Sequence, residues 1–150
     1  QGVEGGIDSH FPKFLVCVEP PLGRKFNFKD ATMPHIVIGR CVDCRYTDCC
    51  TVCPVDCFYE IEEPAMLVID PNTCIDCELC VPECPINAIY PESELPEAFA
   101  EWKDKNADLF ANGTGLSEKK DPLPNALSLE QIQEKEAAAG LSIDEPSKAG

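Results

Sequence analysis

Four cysteines, Cys41, Cys44, Cys49 and Cys53, stand in the spacing C-x2-C-x4-C-x3-C with Pro54 directly after them. Four more, Cys74, Cys77, Cys80 and Cys84, follow as C-x2-C-x2-C-x3-C before Pro85. Thiolates at such short intervals are ligands for soft metals. Tight four-cysteine runs closed by Cys-Pro are an iron-sulfur signature: three thiolates wrap one cluster, and the fourth, turned outward by the following proline, reaches the cluster of the other run. Each cluster would then staple the two halves of the chain together.

The second run has the spacing of bacterial two-cluster iron-sulfur proteins without deviation. The first has two extra residues between its second and third cysteines, so Cys44 need not point at the same cluster corner as its counterpart Cys77. The spacing leaves two outcomes open: one cluster lacking its fourth iron, or two 4Fe-4S clusters with Cys44 as the eighth ligand. Zinc is the nearest rival, since C-x2-C pairs also build zinc ribbons, but zinc sites do not need two four-cysteine runs each ending in proline. The cysteine total of 11 is odd, which argues against a disulfide framework and for a reducing compartment, a bacterial cytoplasm in preference to an organelle matrix.

Three segments together resemble a known family: CVDCRYTDCCTVCPVDCFYE from Cys41 to Glu60, LVIDPNTCIDCELCVPECPINAI from Leu67 to Ile89, and SEKKDPLP from Ser117 to Pro124. They are similar to the seven-iron bacterial ferredoxins of the Azotobacter type, and the resemblance spans Pro34 to Asn125. It implies an α+β, ferredoxin-type iron-sulfur fold, a pseudo-two-fold repeat of strand-helix-strand halves around two clusters, followed by C-terminal helices. Position by position it implies a 3Fe-4S cluster on Cys41, Cys49 and Cys84 and a 4Fe-4S cluster on Cys53, Cys74, Cys77 and Cys80, leaving Cys44 and Cys57 as free thiols. Asp48 matches a carboxylate that in the family lies beside the 3Fe-4S cluster and helps a proton reach its reduced form. Cys50 departs from the apolar residue of the family pattern.

A chain of 150 residues with 14 prolines is one small domain with appendages, and metal-ligand bonds would supply much of its folding energy. The formal charge is −15, and residues 41–100 hold 13 Asp or Glu against a single Arg. Such a domain repels nucleic acid and anionic lipid and is steered toward basic docking surfaces on redox proteins.

The elements that must position the cysteines are short. Ile36 to Ile38 reads as a β-branched strand with Ala88 to Tyr90 as its mate, and Cys57 to Glu60 with Met66 to Ile69 as a hairpin across an acidic turn. Thr47 to Cys53 and Leu79 to Cys84 each predict a turn or two of helix. Ile75, Val81, Ile86, Val42, Val52 and Val55 are expected to form a dry shell around the clusters, and Tyr46, Phe58, Tyr59 and Tyr90 to pack. From Leu95 the period turns helical through Phe99, Trp102, Leu109 and Phe110, with Pro96 in the first turn and Asn112-Gly113 as the stop. A second helix is marked by Ser128 and Gln131 as a capping box and ends at Gly140.

These signals divide the chain into an N-terminal extension (1–33), a two-cluster domain (34–92), a C-terminal helix and family tail (93–127) and a C-terminal extension (128–150). Cys17 is expected as a small apolar contact and His10 and His35 as surface residues. The first ten residues and the tail from Leu141 are short of core-forming side chains and are expected to be disordered alone. Beginning at Gln1, the chain reads as processed or as part of a longer one. It shows no apolar run long enough to span a membrane and no secretory signal pattern.

No nucleophile-base pair or phosphate loop is present, which argues against a catalytic site of the chain's own. The expected function is one-electron transfer through a 3Fe-4S and a 4Fe-4S cluster. The alternative is an iron-sulfur subunit docked by its terminal arms on a larger respiratory or photosynthetic complex.

Overall fold

The computed structural model describes residues 34–147; the expectations for residues 1–33, including His10 and Cys17, lie outside them. Two small antiparallel sheets frame the cysteine loops. In the first, β1 (His35–Val37) pairs with β4 (Ile89–Pro91), with Ile36 opposite Tyr90. The expected mates are thus correct, and the ladder is extended by a bond from Ile38 N to Ala88 O at 2.8 Å. In the second, the hairpin of β2 (Phe58–Ile61) and β3 (Met66–Ile69) is joined on the outer edge of β2 by β5 (Thr114–Gly115).

Every residue of β3 is buried, because the strand lies within the core and not on a wet sheet face, which is why MLVI runs apolar without alternation. Helices α1 (Asp48–Thr51) and α2 (Cys80–Glu83) are single turns within the two cysteine runs. Of the expected dry shell, Val81 and Ile86 are buried and Val42 and Val55 are partly buried against the core. Ile75 is 54% exposed, so it does not shut water out, since it stands in the tightly turned loop Cys74–Cys80, where consecutive residues project outward.

The helix expected from Leu95 begins later. Leu95, directly before Pro96, is extended (ψ 119°), and Pro96 itself is extended (ψ 141°), as the steric demand of the proline ring on its predecessor requires. Residues Glu97–Phe99 make one 3-10 turn before α3 (Glu101–Leu109), and a second 3-10 turn, Phe110–Asn112, ends the element at Gly113. Leu95, Phe99, Trp102, Leu109 and Phe110 pack against the core as their period predicts. Trp102 covers Gly39 so closely that a Cβ there would lie 2.7 Å from its Cζ2.

Helix α4 (Leu129–Ala138) starts on the expected capping box, with Ser128 accepting from Gln131 N and the Gln131 side chain accepting from Ser128 N, and it ends before Gly140 at φ 77°. The surface that its thin apolar side rests on is the cluster domain itself. Ile132 is buried, and the buried guanidinium of Arg40 bonds Glu136 through Nε and Nη2, each at 2.8 Å. Arg40 Nη1 also reaches Glu145 at 3.1 Å, Tyr90 Oη donates to Asp144 O, and Asn87 Nδ2 donates to Glu145. The tail through Ser147, expected to be disordered alone, is therefore tied to the chain's own core as far as residue 147; one buried cation supplies what its composition lacks.

Among the described residues no helix is long and apolar enough to cross a membrane.

Candidate metal centres

The two cysteine loops share an unusual backbone. Six residues with side chains take the left-handed conformation: Asp43, Arg45, Asp56, Asp76, Glu78 and Asn87, with φ between 45° and 59°. They fall two residues after Cys41 and Cys74, one after Cys44 and Cys77, and three after Cys53 and Cys84. Each costs about 1–2 kcal/mol relative to the right-handed form, so the arrangement persists only where the surroundings over-determine it. Alternation of left- and right-handed residues gathers successive N–H groups into concave anion sites, of which iron-sulfur sites are one kind.

The thiols are shared between two cavities. One is lined by five cysteines, Cys53, Cys57, Cys74, Cys77 and Cys80, with His35 and Ile75. The other is lined by Cys41, Cys49 and Cys84, with Leu67, Ile86 and Ile89. Cys53 comes from the first run and Cys84 from the second, so each lies in the cavity of the opposite run. Among the described residues none of the ten cysteines forms a disulfide, and no three His, Cys, Asp or Glu side chains converge to hold a single metal ion.

Backbone amides point at several of the sulfurs. Leu67 N donates to Cys41 Sγ at 3.4 Å, Cys57 N to Cys53 Sγ at 3.4 Å, and Ala88 N to Cys84 Sγ at 3.3 Å. Such bonds favour thiolate over thiol, and burial opposes them. At Cys41 burial prevails and pushes the thiol up to about 12. Burial likewise raises Cys80. Hydrogen bonding with Cys74, burial and the bond to Cys53 raise Cys57, whereas the bond from Cys57, outweighing burial, and that from His35 lower Cys74 to about 4. Deprotonating such a set is a cost that metal binding must offset. A ring of sulfur donors around an apolar cavity, with amides aimed at the sulfurs, fits an iron-sulfur cluster.

Cys44 belongs to neither lining. Its Sγ accepts from Leu127 N at 3.4 Å, its carbonyl accepts from Leu123 N at 3.1 Å, and Tyr46 Oη donates to Leu127 O at 3.2 Å. Asp48 stands at the head of α1 beside Cys49 and is ion-paired with Lys119 Nζ. Cys50, buried at 1% exposure, lies against Cys49, whose thiol its hydrogen bond and burial together raise.

Two residues have neighbours that the sequence reading did not name. His35, expected at the surface, is 2% exposed on β1; its Nδ1 lies 3.0 Å from Asp76 Oδ1, and its ring stands within hydrogen-bonding reach of Cys74. Cys57, which the resemblance leaves a free thiol, lies 3.3 Å from Cys53 Sγ. The C-x3-C interval of Cys53 and Cys57 was the available signal for the second; for His35 nothing local marks the carboxylate 41 positions away.

Comparison with known proteins agrees with this chemistry. The 4Fe-4S binding domain family model matches residues 67–90. The chain is 52% identical over 96 residues to a ferredoxin of Rickettsia felis, covering 63% of this chain and 84% of that protein. It is 48% identical over 90 residues to Ferredoxin-1 of Caulobacter vibrioides, covering 60% and 77%. With two sulfur-lined cavities in the fold and relatives matched over most of their length, the chain belongs to the ferredoxin family of iron-sulfur electron carriers.

Proposed function

We propose that this ferredoxin is a seven-iron carrier, with Cys41, Cys49 and Cys84 holding a 3Fe-4S cluster and Cys53, Cys74, Cys77 and Cys80 holding a 4Fe-4S cluster. The observation that carries this reading is that Cys41, Cys49 and Cys84 alone among the thiols line one cavity, with Cys44 outside it and engaged by Leu127, while Cys53, Cys74, Cys77 and Cys80 line the other together with Cys57. The matching left-handed positions in the two loops support the pseudo-two-fold repeat of the family fold. When bound, the clusters supply one-electron oxidation and reduction.

The protein's own part is to bind, orient and keep water away. The buried Cys41, Cys49 and Cys84 and the apolar wall of Leu67, Ile86 and Ile89 dry the three-cysteine centre. Asp48, held by Lys119, is the residue assigned to carry a proton toward that centre. Replacing it by Asn should weaken the pH dependence of that centre's reduction potential and leave the other potential in place; unchanged pH dependence removes Asp48 from this role.

The free-carrier reading is preferred to a subunit docked by its arms, because residues 129–147 make their polar contacts with the chain's own core. The acid-rich domain fits redox partners with basic surfaces in a reducing interior.

Electron paramagnetic resonance of the oxidised protein with an iron count tests the cluster content. A near-isotropic signal from an odd-electron 3Fe-4S centre with about seven irons per chain is expected. A silent sample with about eight irons means two 4Fe-4S clusters and Cys44 as the eighth ligand.

A further inference from the structure

The two centres present different surfaces to solvent. Five consecutive residues around the larger thiol set, Ile75, Asp76, Cys77, Glu78 and Leu79, are exposed. Ile75 and Leu79 are 54% and 52% exposed, and the remaining large exposed apolar side chain among the described residues, Leu141, lies beyond α4. A single exposed leucine is ordinary. Here two large apolar side chains flank the exposed cysteine of a cavity rim, and acidic residues stand between them. Asp76 pairs with the buried His35, and among the described residues no lysine or arginine pairs with Asp76 or Glu78.

The three-cysteine side is closed, and two of the carboxylates near it are paired with cations. Cys41, Cys49 and Cys84 are all buried. Asp48 is paired with Lys119, and Glu60 with Arg45 and Lys120. The segment from Lys120 to Leu127 is tied across the first loop through Thr47 Oγ1, Cys44 O and Cys44 Sγ. Electron transfer weakens steeply with distance, so a partner gains most by docking where a sulfur ligand reaches the surface.

We propose that the face formed by Ile75, Asp76, Cys77, Glu78 and Leu79 is the docking surface for a redox protein whose own contact face has an apolar centre bordered by lysine or arginine. This rests on the cluster reading above and adds to it a place and a partner chemistry. The left-handed backbone of Asp76 and Glu78 fixes the loop before contact, which lowers the ordering cost of association. A second copy of this chain is disfavoured, because it would bring acid to acid at a net charge of −15.

The test uses the full-length holoprotein, oxidised, titrated calorimetrically at low ionic strength with oxidised cytochrome c, a basic haem protein, so that binding is read and no electron passes. Leu79→Ser and Glu78→Gln should each weaken binding, by up to roughly tenfold. Glu78→Gln should also flatten the salt dependence, and Leu79→Ser should keep it. Glu130→Gln with Glu134→Gln on α4 makes a larger charge change away from the face and should leave affinity nearly unaltered.

Equal losses in the α4 variant, or unaltered affinity in both face variants, overturn the docking face. So does a concentration-dependent dimer that Leu79→Ser dissolves, since the occupant is then a second copy. Iron content and paramagnetic resonance on the same samples separate the two levels: wild-type protein without the clusters refutes the underlying reading, whereas intact clusters with unaltered binding refute the face alone.

Discussion

Asn106 Oδ1 accepts from Val37 N at 3.2 Å while its Nδ2 donates to Val37 O at 2.7 Å, so that one amide side chain on α3 takes the place of a missing strand beside β1. The same Oδ1 accepts from Ile69 N of β3 at 3.3 Å, and Nδ2 also donates to Trp102 O at 2.7 Å. Asn106 is 3% exposed and joins both sheets to the helix that covers them. Asn106→Ala would leave three buried backbone groups of β1 and β3 without this partner. It should cost about 3 kcal/mol, read as a lower midpoint in urea unfolding of the cluster-loaded protein.

Trp102 and Gly39 are the second tie between α3 and the cysteine core. Because the indole ring already stands where a Cβ would go, Gly39→Ala forces the ring and α3 outward. The expected loss is about 1–3 kcal/mol, accompanied by a change in Trp102 fluorescence, the chain having a single tryptophan.

The Arg40 clamp makes the C-terminal segment acid-sensitive. Burial alone would raise Glu145, but its hydrogen bonds to Arg40, Gln133 and Asn87 outweigh burial and hold the carboxyl below its ordinary value of 4.5. A carboxyl lowered on folding stabilises the docked segment above that ordinary value, and its contribution is lost as pH falls through the lowered one. Pulse hydrogen exchange from pH 6 downward should show amides of residues 129–147 losing protection only once pH falls below 4.5. Arg40 is raised by the same carboxylates, against its own burial, and stays charged throughout. In Arg40→Leu the segment should already be unprotected at pH 7.

Cys44 separates a structural thiol from a ligand. Cys44→Ala should retain the wild-type iron count and lose about 1 kcal/mol of stability with the Leu127 bond. Cys49→Ala should lose iron. Iron loss of equal size in the two variants would make Cys44 a ligand.

What was legible in sequence was what local spacing encodes. The cysteine intervals, the β-branched strand pair, the hairpin and the capping box at Ser128 and Gln131 each depend on residues a few positions apart, where covalent geometry leaves few alternatives. Pro96 was legible too, although its effect was to hold Leu95 extended and delay α3, contrary to a placement inside the first turn. Tertiary structure decided which buried polar groups met. Arg40 finds Glu145 across 105 positions and Asn106 finds Val37 across 69; each is an ordinary surface residue in its own neighbourhood. Hydrophobic and thiol patterns repeat along the chain and announce themselves. A single buried hydrogen-bond partner has no period, and only the packing of the elements around it gives the partner its place.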